Sequence, residues 1–202
     1  MTRRFVMLSL LIILSGAFAG SLFYPRVTRV EVSGNAHYER AELLRLAKVK
    51  PGTPFFWVIR PRLKALAADP WILSAQVYRH WPDTVSLRVR ERTPALSDGE
   101  RAYALDGTAL PGVSAAEQRA LIQVSGWGES RFEESLALLQ QLADFGPKMV
   151  SYSPAGFTVQ LATSHLFTPS LEALRANWAS FLSQQGTHAY VYPWGVSAAH
   201  ER

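Results

Sequence analysis

An uncharged apolar run from Phe5 to Tyr24 is the first feature of the hydrophobic pattern. Its length of about 20 residues, at a rise of about 1.5 Å each, gives roughly 30 Å, the thickness of one hydrocarbon core. The run therefore predicts a transmembrane helix at residues 5–24, with residues 1–4 as a cytoplasmic tail. Two arginines precede the run and two follow it, and the pair in the short tail favours a cytoplasmic amino terminus: Arg3, Arg4, Arg26 and Arg29.

The same stretch also has features of a signal peptide that is cut away. The apolar run up to Leu14 is followed by Ala17-Phe18-Ala19, which is typical of a small-residue cleavage site. The run nevertheless continues past that point through Leu22-Phe23-Tyr24, and Tyr24 suits the aromatic belt of a membrane interface. The residues alone favour the anchor and leave the signal peptide open. In both cases the rest of the chain is exported.

The residues after this run have the periodicities of a small domain. Alternating or helical patterns mark three strands and one helix, namely Val27–Val32, Trp71–Tyr78 and Thr84–Glu91, and Tyr38–Val49. A second helix is predicted to begin at Pro61 and to stop before Asp69-Pro70. The order strand, helix, helix, strand, strand predicts a three-stranded sheet with two helices on one face, over residues 26–93.

The pattern changes at Thr93-Pro94, and residues 94–202 are predicted to form a second domain of mixed strands and helices. Ser130 and Glu133 have the spacing of a capping box, which predicts a helix from there through Phe145. The other predicted elements are a hairpin on Asp106-Gly107, a strand at 121–124, a hairpin over 149–161, a helix from Thr168-Pro169 and a final strand at His188–Tyr192. The predicted fold class is α+β.

Composition gives little support to catalysis. The 202-residue chain is 48% hydrophobic, carries a net charge of +5 and has no cysteine, so disulfides and thiol chemistry are excluded. The five histidines are scattered without a His-x-x-x-His pair, and no Gly-x-Ser-x-Gly motif occurs. We therefore expect no enzymatic activity, no metal and no cofactor. The modest, dispersed positive charge of an exported chain does not predict binding to nucleic acid.

Motifs of a known family follow one another between residues 26 and 111. They are Val30-Glu31-Val32-Ser33-Gly34-Asn35, Pro51-Gly52-Thr53-Pro54, Asp69-Pro70-Trp71-Ile72, Val77-Tyr78-Arg79-His80-Trp81-Pro82-Asp83-Thr84-Val85, Arg90-Glu91-Arg92-Thr93-Pro94-Ala95 and Leu105-Asp106-Gly107-Thr108-Ala109-Leu110-Pro111. On these residues the first domain resembles a POTRA module, and the chain resembles the FtsQ (DivIB) family of bacterial cell-division proteins. The family keeps its membrane span, so the resemblance strongly favours the anchor over the signal peptide.

The resemblance implies a non-enzymatic scaffold of the divisome. Family members have a short cytoplasmic tail, one transmembrane helix, a POTRA domain (βααββ) and a C-terminal β domain outside the cytoplasm. The implied location is the plasma (inner) membrane, enriched at the division septum. The implied partners are the FtsB and FtsL type of single-span division protein, which add a strand to the β domain, and other divisome proteins that contact the POTRA domain.

The family's C-terminal Arg-Tyr-x-x-Gly strand falls on residues 191–195 of this chain. Tyr192 and Gly195 match that pattern, whereas Val191 stands in place of the arginine. Pro193 lacks a backbone donor, which suits a strand end or an edge. We therefore expect partner binding at an exposed edge strand that includes Tyr190, Val191, Tyr192, Trp194 and Gly195.

Three consecutive aromatic residues, Phe55, Phe56 and Trp57, lie in the connection between the two predicted POTRA helices. All three cannot point inward from a short connection, so at least one is expected at the surface. There it either contacts a partner or the membrane surface, or it caps the helix pair.

The sequence leaves two alternatives to the divisome scaffold. The first is a POTRA-containing adaptor for secretion or envelope assembly, which signal peptidase could release. The second is an enzyme acting on the cell wall, which requires a paired acid or a metal constellation that the sequence lacks.

Overall fold

The computed structural model describes residues 2–58, 63–184 and 186–199. The chain divides into two compact units, residues 1–92 and residues 93–202. Both contain helices and strands, so the predicted α+β class is confirmed. Each unit also has its own hydrophobic core.

The first unit begins with a long helix and continues with a small α/β body. Its elements are α1 (Thr2–Phe23), β1 (Arg29–Ser33), α2 (Arg40–Leu46), a 3₁₀ turn (Phe55–Trp57), α3 (Lys64–Ala67), β2 (Ile72–His80) and β3 (Thr84–Glu91). The predicted start of the second helix at Pro61 lies outside the described residues, and the described part of that region forms α3.

Helix α1 exposes its apolar side chains. They include Phe5, Val6, Met7, Leu8, Leu10, Leu11, Ile12, Ile13, Leu14 and Phe18. Within the residues that the structure describes, no helix meets the combined demands of length and apolarity for crossing a membrane.

In the first unit, the described strands form a three-stranded sheet in the order β1-β3-β2. Strand β1 runs parallel to β3, and β2 runs antiparallel to it. The alternation predicted from the sequence is confirmed, because Val85, Leu87 and Val89 of β3 are buried. Leu43 of α2 and Leu66 of α3 belong to the same buried cluster, so both helices cover one face of the sheet.

The second unit contains nine described strands in one sheet, in the order β12-β11-β10-β9-β8-β7-β4-β5-β6. The strands are β4 (Leu96–Ser97), β5 (Ala102–Tyr103), β6 (Ala109–Leu110), β7 (Ile122–Gly126), β8 (Met149–Ser153), β9 (Gly156–Gln160), β10 (His165–Thr168), β11 (His188–Tyr192) and β12 (Gly195–Ala199). The helices are α4 (Ala115–Ala120), α5 (Phe132–Gln141), α6 (Leu171–Ala176) and α7 (Trp178–Leu182), with a 3₁₀ turn at Ala143–Phe145.

Helices cover one face of this large sheet. The inward side chains of β7 to β11 share a buried cluster with side chains from α5, α6 and α7, including Val124, Val150, Phe157, Val159, Leu166, Val191, Leu136, Leu139, Leu174 and Phe181. On the opposite face, described side chains such as Ser151, Thr158, His165 and Tyr190 are exposed. The sheet, which mixes parallel and antiparallel pairs, therefore has a packed face and an open face.

The predicted capping box at Ser130 and Glu133 is wrong. Helix α5 begins after Arg131, which makes no side-chain cap. The Arg131 guanidinium instead binds Glu134 (2.7 Å) and the carbonyls of Ser153 and Pro169 (3.2 and 3.0 Å). Glu134 rather than Glu133 is therefore the carboxylate that faces the neighbouring elements.

A capping box does open the short helix α4. There Ser114 and Glu117 exchange hydrogen bonds between side chain and backbone, which satisfies two donors at the helix start. The pairs Ser114–Glu117 and Ser130–Glu133 have the same spacing in the sequence, but only the first pair forms a capping box.

Candidate functional site

Strand β12 forms one edge of the large sheet. The prediction that His188–Tyr192 is the final strand and lies at an edge is wrong, because this strand, β11, pairs with β10 on one side and with β12 on the other. Tyr192 pairs with Gly195 across a two-residue turn, so the chain reverses and adds one more strand. Gly195 has a φ of 154°, a backbone conformation that glycine adopts without strain.

The register fixes which backbone groups of β12 point away from the sheet. The carbonyl of Thr187 accepts from the N–H of His165 in β10 (2.7 Å). Because backbone groups alternate in direction along a strand, residues 187, 189 and 191 direct theirs toward β10, and residues 188, 190 and 192 direct theirs toward β12. Gly195, Ser197 and Ala199 pair with residues 192, 190 and 188, so their backbone groups face β11. The N–H and C=O groups of the two residues between them, 196 and 198, point outward. Among the described residues, no strand pairs with that side of β12.

Aromatic side chains gather on the open face beside this edge. Tyr192 stacks on Trp194, with ring centroids 5.0 Å apart and planes 5° apart. Phe167 of β10 lies 5.8 Å from the Tyr192 ring and 6.5 Å from the Tyr190 ring. Trp194 in the turn is 81% exposed. Phe167 could not be singled out from the sequence, because a strand of only four residues, such as β10, is too short to show an alternation.

Val191, which was expected in the binding edge, lies elsewhere. Its side chain is fully buried in the core of the second unit, on the side covered by helices. The structure thus brings Tyr190, Tyr192 and Trp194 together on the open face and places Gly195 at the start of the edge strand. Val191 lies on the opposite face of the sheet, in the hydrophobic core.

The edge is held in place from the helical side. Asn177 donates its side-chain amide to the carbonyl of Tyr192 (2.9 Å) and to that of Ala173 in α6 (3.2 Å). Val196 of β12 packs against the core cluster that contains Phe181 of α7. These contacts position β12 before any partner arrives.

The POTRA aromatics divide among three environments. Phe55 is buried in the core of the first unit, whereas Phe56 is 45% exposed. Trp57 contacts α1, since its ring meets Phe18 edge-on at 5.4 Å and its indole N–H donates to Ser21 Oγ (3.3 Å).

Two family motifs meet in one hydrogen-bonded cluster of the first unit. The Glu91 carboxylate accepts from the backbone N–H groups of Ala36 (2.7 Å), His37 (2.5 Å) and Tyr38 (3.2 Å). Gly34 precedes them with a φ of 83°, and a Cβ there would overlap the carbonyl oxygen of Val89. The Gly-Asn turn and the Glu-Arg motif are therefore parts of the same contact.

A third motif joins this cluster through its neighbours. Asp69 accepts from the Trp71 N–H (2.9 Å) and from the Tyr38 hydroxyl (2.9 Å), and Arg92 donates to the carbonyls of Pro70 (3.0 Å) and Ile72 (2.7 Å). Burial, followed by the hydrogen bond and the charge of Asp69, raises the pKa of Tyr38 to about 12. These roles are structural.

No catalytic constellation stands out in the described part of the chain. It contains no group of three or more histidine, cysteine or acidic residues that could hold a metal ion. Burial acts to raise the pKa of Asp98, but hydrogen bonds from Tyr103 and from the N–H groups of Arg101 and Glu100 hold it below its usual value. His165 and His188 stack across β10 and β11 with centroids 5.1 Å apart, as a single pair.

Comparison with known proteins agrees with these motifs. The family model described as POTRA domain, FtsQ-type, matches residues 26–92. Several bacteria have proteins named Cell division protein FtsQ that are similar to this chain. The one from Syntrophotalea carbinolica is 29% identical over 151 residues, which cover 65% of this chain and 54% of that protein.

Two further relatives bear the same name. The protein of an Anaeromyxobacter species is 33% identical over 136 residues, covering 60% of this chain and 44% of its own length. That of Streptomyces collinus is 35% identical over 104 residues, covering 47% and 39%. This chain thus spans about half the length of these relatives, or less. The family model thus identifies residues 26–92 as a POTRA domain of the FtsQ type, in a chain that is similar to proteins named Cell division protein FtsQ.

Proposed function

We propose that this chain is a membrane-anchored, non-enzymatic divisome scaffold that binds single-span division proteins of the FtsB and FtsL type by strand addition at β12. The observation that carries the proposal is the outward-facing backbone of residues 196 and 198, on a five-residue strand at the sheet edge. The name of the relatives, Cell division protein FtsQ, supports a role in cell division. The partners and the strand addition are our inference.

Strand addition suits the chemistry of this edge. A partner strand would satisfy the outward N–H and C=O groups, and its alternate side chains would fall on the two faces of the sheet. Small side chains at Ser197, Ala198 and Ala199 leave room for a close approach. Trp194 and Tyr190, both exposed, supply aromatic contact area on the open face, where rigid aromatic anchors are typical of binding hot spots.

The opposite end of the sheet is a poorer acceptor. That edge is β6, which has only the two residues Ala109 and Leu110. A partner strand there would gain few main-chain hydrogen bonds, whereas β12 offers five residues. We therefore assign strand addition to β12.

The membrane anchor is the second part of the proposal. Its support is the uncharged run of residues 5–24 and the exposure of the apolar side chains along α1, for which a bilayer is the natural cover. We place residues 1–4 in the cytoplasm and the two units outside it, in the plasma (inner) membrane at the septum. Such an anchor confines the chain to the same membrane as single-span partners.

Ala198→Pro tests the edge. Proline removes the outward N–H of residue 198, while the groups that pair with β11 belong to its neighbours and remain. Losing one ladder hydrogen bond and the close approach of the partner strand should weaken binding about tenfold. The measurement is a binding titration of the full chain, in detergent or nanodiscs, against its FtsB- and FtsL-type partners.

Ala198→Ser is the matched control, because serine is also small and keeps the N–H. It should bind like the natural chain. Circular dichroism checks that both variants are folded. Unchanged affinity of a folded Ala198→Pro variant would rule out strand addition at β12.

A further inference from the structure

The chain passes from α1 into the POTRA domain without a free linker. The N–H of Phe55 donates to the carbonyl of Pro25 (3.0 Å). Val27 then donates to Thr53 (2.9 Å) and accepts from Gly52 (2.8 Å). The connection around residues 52–55 is therefore fixed within a few residues of the end of α1.

Trp57 ties this connection to the helix itself. Its ring lies edge-on to Phe18, and its indole N–H reaches Ser21 one turn further on. These two contacts place the 3₁₀ turn Phe55–Trp57 beside the last turns of α1.

The turn between β2 and β3 lies at the same end of the POTRA sheet. Thr84 of β3 is paired both with Arg29, at the start of β1, and with His80, at the end of β2. The N–H of Thr28 donates to the carbonyl of Asp83 in that turn (3.0 Å). Trp81 is therefore close to the helix exit, and its ring centroid lies 6.3 Å from that of Phe56.

Three large aromatic side chains at this end are exposed. Tyr24 is 74% exposed, Phe56 45% and Trp81 67%. Arg79 donates to the carbonyl of Phe56 (3.2 Å), which places a cation beside the aromatics. Asp83 also lies here, and its carboxylate accepts from the hydroxyls of Thr28 (2.5 Å) and Thr84 (3.2 Å).

We propose that Tyr24, Phe56 and Trp81 form an interface patch that lies in the headgroup region of the bilayer and holds the POTRA domain against the membrane. This inference rests on the proposed function, since it requires α1 to span. The patch adjoins the end of α1, and aromatic rings with an arginine beside them are typical of that depth. We commit to lipid as the occupant because the patch is continuous with the helix that lipid would surround.

Cysteine labelling tests the patch, because the natural chain has no cysteine that would compete. Single variants Phe56→Cys and Trp81→Cys carry an environment-sensitive fluorophore, and the full chain is placed in vesicles of phosphatidylethanolamine and phosphatidylglycerol. Lipids with a quencher near the headgroup should quench both labels. The emission of both labels should also be shifted to the blue relative to that of a label exposed to water.

Leu73→Cys is the matched control within the same domain. Leu73 is also an exposed apolar side chain, 42% accessible, but it lies next to Ile72, whose partner Glu91 ends β3 far from the helix exit. Its label should stay in water. All three positions are exposed, so the substitutions leave the core intact.

A label at Ile13→Cys separates this inference from the anchor. Suppose that lipids with a quencher on the acyl chain quench the label at position 13, while the labels at positions 56 and 81 are quenched no more than the label at position 73. The patch is then overturned and the anchor stands. If Ile13 is also unquenched, the anchor fails and the patch with it. Protection of positions 56 and 81 by a partner protein but not by lipid would likewise overturn the patch.

Discussion

At the scale of single residues, Glu91 connects two separate motifs of the POTRA domain. One carboxylate takes three consecutive backbone N–H groups in the turn that leads from β1 to α2. Those donors precede the helix, where no intrahelical partner exists for them. The end of β3 and the start of α2 are thereby joined through a charge-assisted contact.

We predict that Glu91→Gln lowers the free energy of unfolding of the first unit by about 1–3 kcal/mol, because a neutral amide accepts more weakly and brings in unwanted donors. Thermal or urea unfolding of the full chain in detergent, followed by circular dichroism, measures the change. Glu42→Gln is the control, since the Glu42 carboxylate forms an exposed ion pair with Arg45 at 3.4 Å. Equal effects from the two variants would contradict the role of Glu91.

The hydroxyl of Tyr38 makes stability depend on alkaline pH. Burial and the neighbouring Asp69 raise the pKa of Tyr38 to about 12 in the folded chain, from the usual tyrosine value of about 10. An acid whose folded pKa is raised loses its proton first in the unfolded chain, so unfolding is favoured as pH rises from 10 towards 12. Tyr38→Phe should lose this contribution.

Unfolding measured at several pH values from 9 to 12 tests the effect of Tyr38. The difference in stability between the natural chain and Tyr38→Phe isolates this hydroxyl from the lysines that titrate in the same range. A difference that stays constant across the range would contradict the assignment.

At the scale of secondary-structure elements, the β11–β12 hairpin combines a rigid edge with an exposed aromatic tip. Trp194 at the tip contacts Tyr192 and otherwise faces solvent. We predict that Trp194→Ala weakens partner binding at least about tenfold, as loss of a central aromatic anchor commonly does, with little change in stability. The same binding titration as for Ala198→Pro measures it.

Trp127→Ala provides the comparison for Trp194→Ala. Trp127 is also an exposed tryptophan of the second unit, and it follows β7, which lies several strands away from β12 in the sheet. Its removal should leave partner binding unchanged. If both variants bound equally well, the aromatic tip would have no part in recognition.

Elements with a strong period were predictable, and short ones were not. The alternation of Val85, Leu87 and Val89 identified β3 and its buried face correctly. Strand β12 was missed because its five residues, Gly-Val-Ser-Ala-Ala, contain one large apolar side chain and therefore show no alternation. Without β12, the strand before it was placed at the edge, which also put Val191 at the surface instead of in the core.

Motif spacing alone did not identify the helix start at α5. A serine followed three residues later by a glutamate occurs at Ser130, yet the tertiary contacts of Arg131 govern that turn. Local sequence cannot report a partner such as the carbonyl of Pro169, which comes from a segment 38 residues away.

For the whole molecule, the proposed membrane anchor would decide where the exposed edge can act. We predict that Ile13→Arg reduces membrane insertion, because an arginine near the middle of a span costs about 2.5–3.5 kcal/mol on insertion scales. Ile13→Leu should insert normally. Alkaline carbonate extraction of bacterial membranes, with the chain detected in pellet or supernatant, measures the difference, and equal retention of both variants would argue against a span at residues 5–24.

The POTRA domain was predictable from the sequence because its motifs are short and follow one another in a set order along the chain. Gly34, Asp69, Glu91 and Arg92 each have a specific partner in the fold, so their spacing carries information. The gathering of Phe56 and Trp81 at the helix exit was not predictable, since it depends on strand register between distant segments.

The close connection between α1 and the POTRA domain at Pro25 has a mechanical consequence. A helix joined to its domain by backbone hydrogen bonds and by the Trp57 contacts cannot swivel independently of it. Torque applied to α1 by a neighbouring helix would therefore turn the POTRA domain about the same axis. Inserting a short glycine stretch after Tyr24 would leave the helix and the domain intact but would uncouple their rotation.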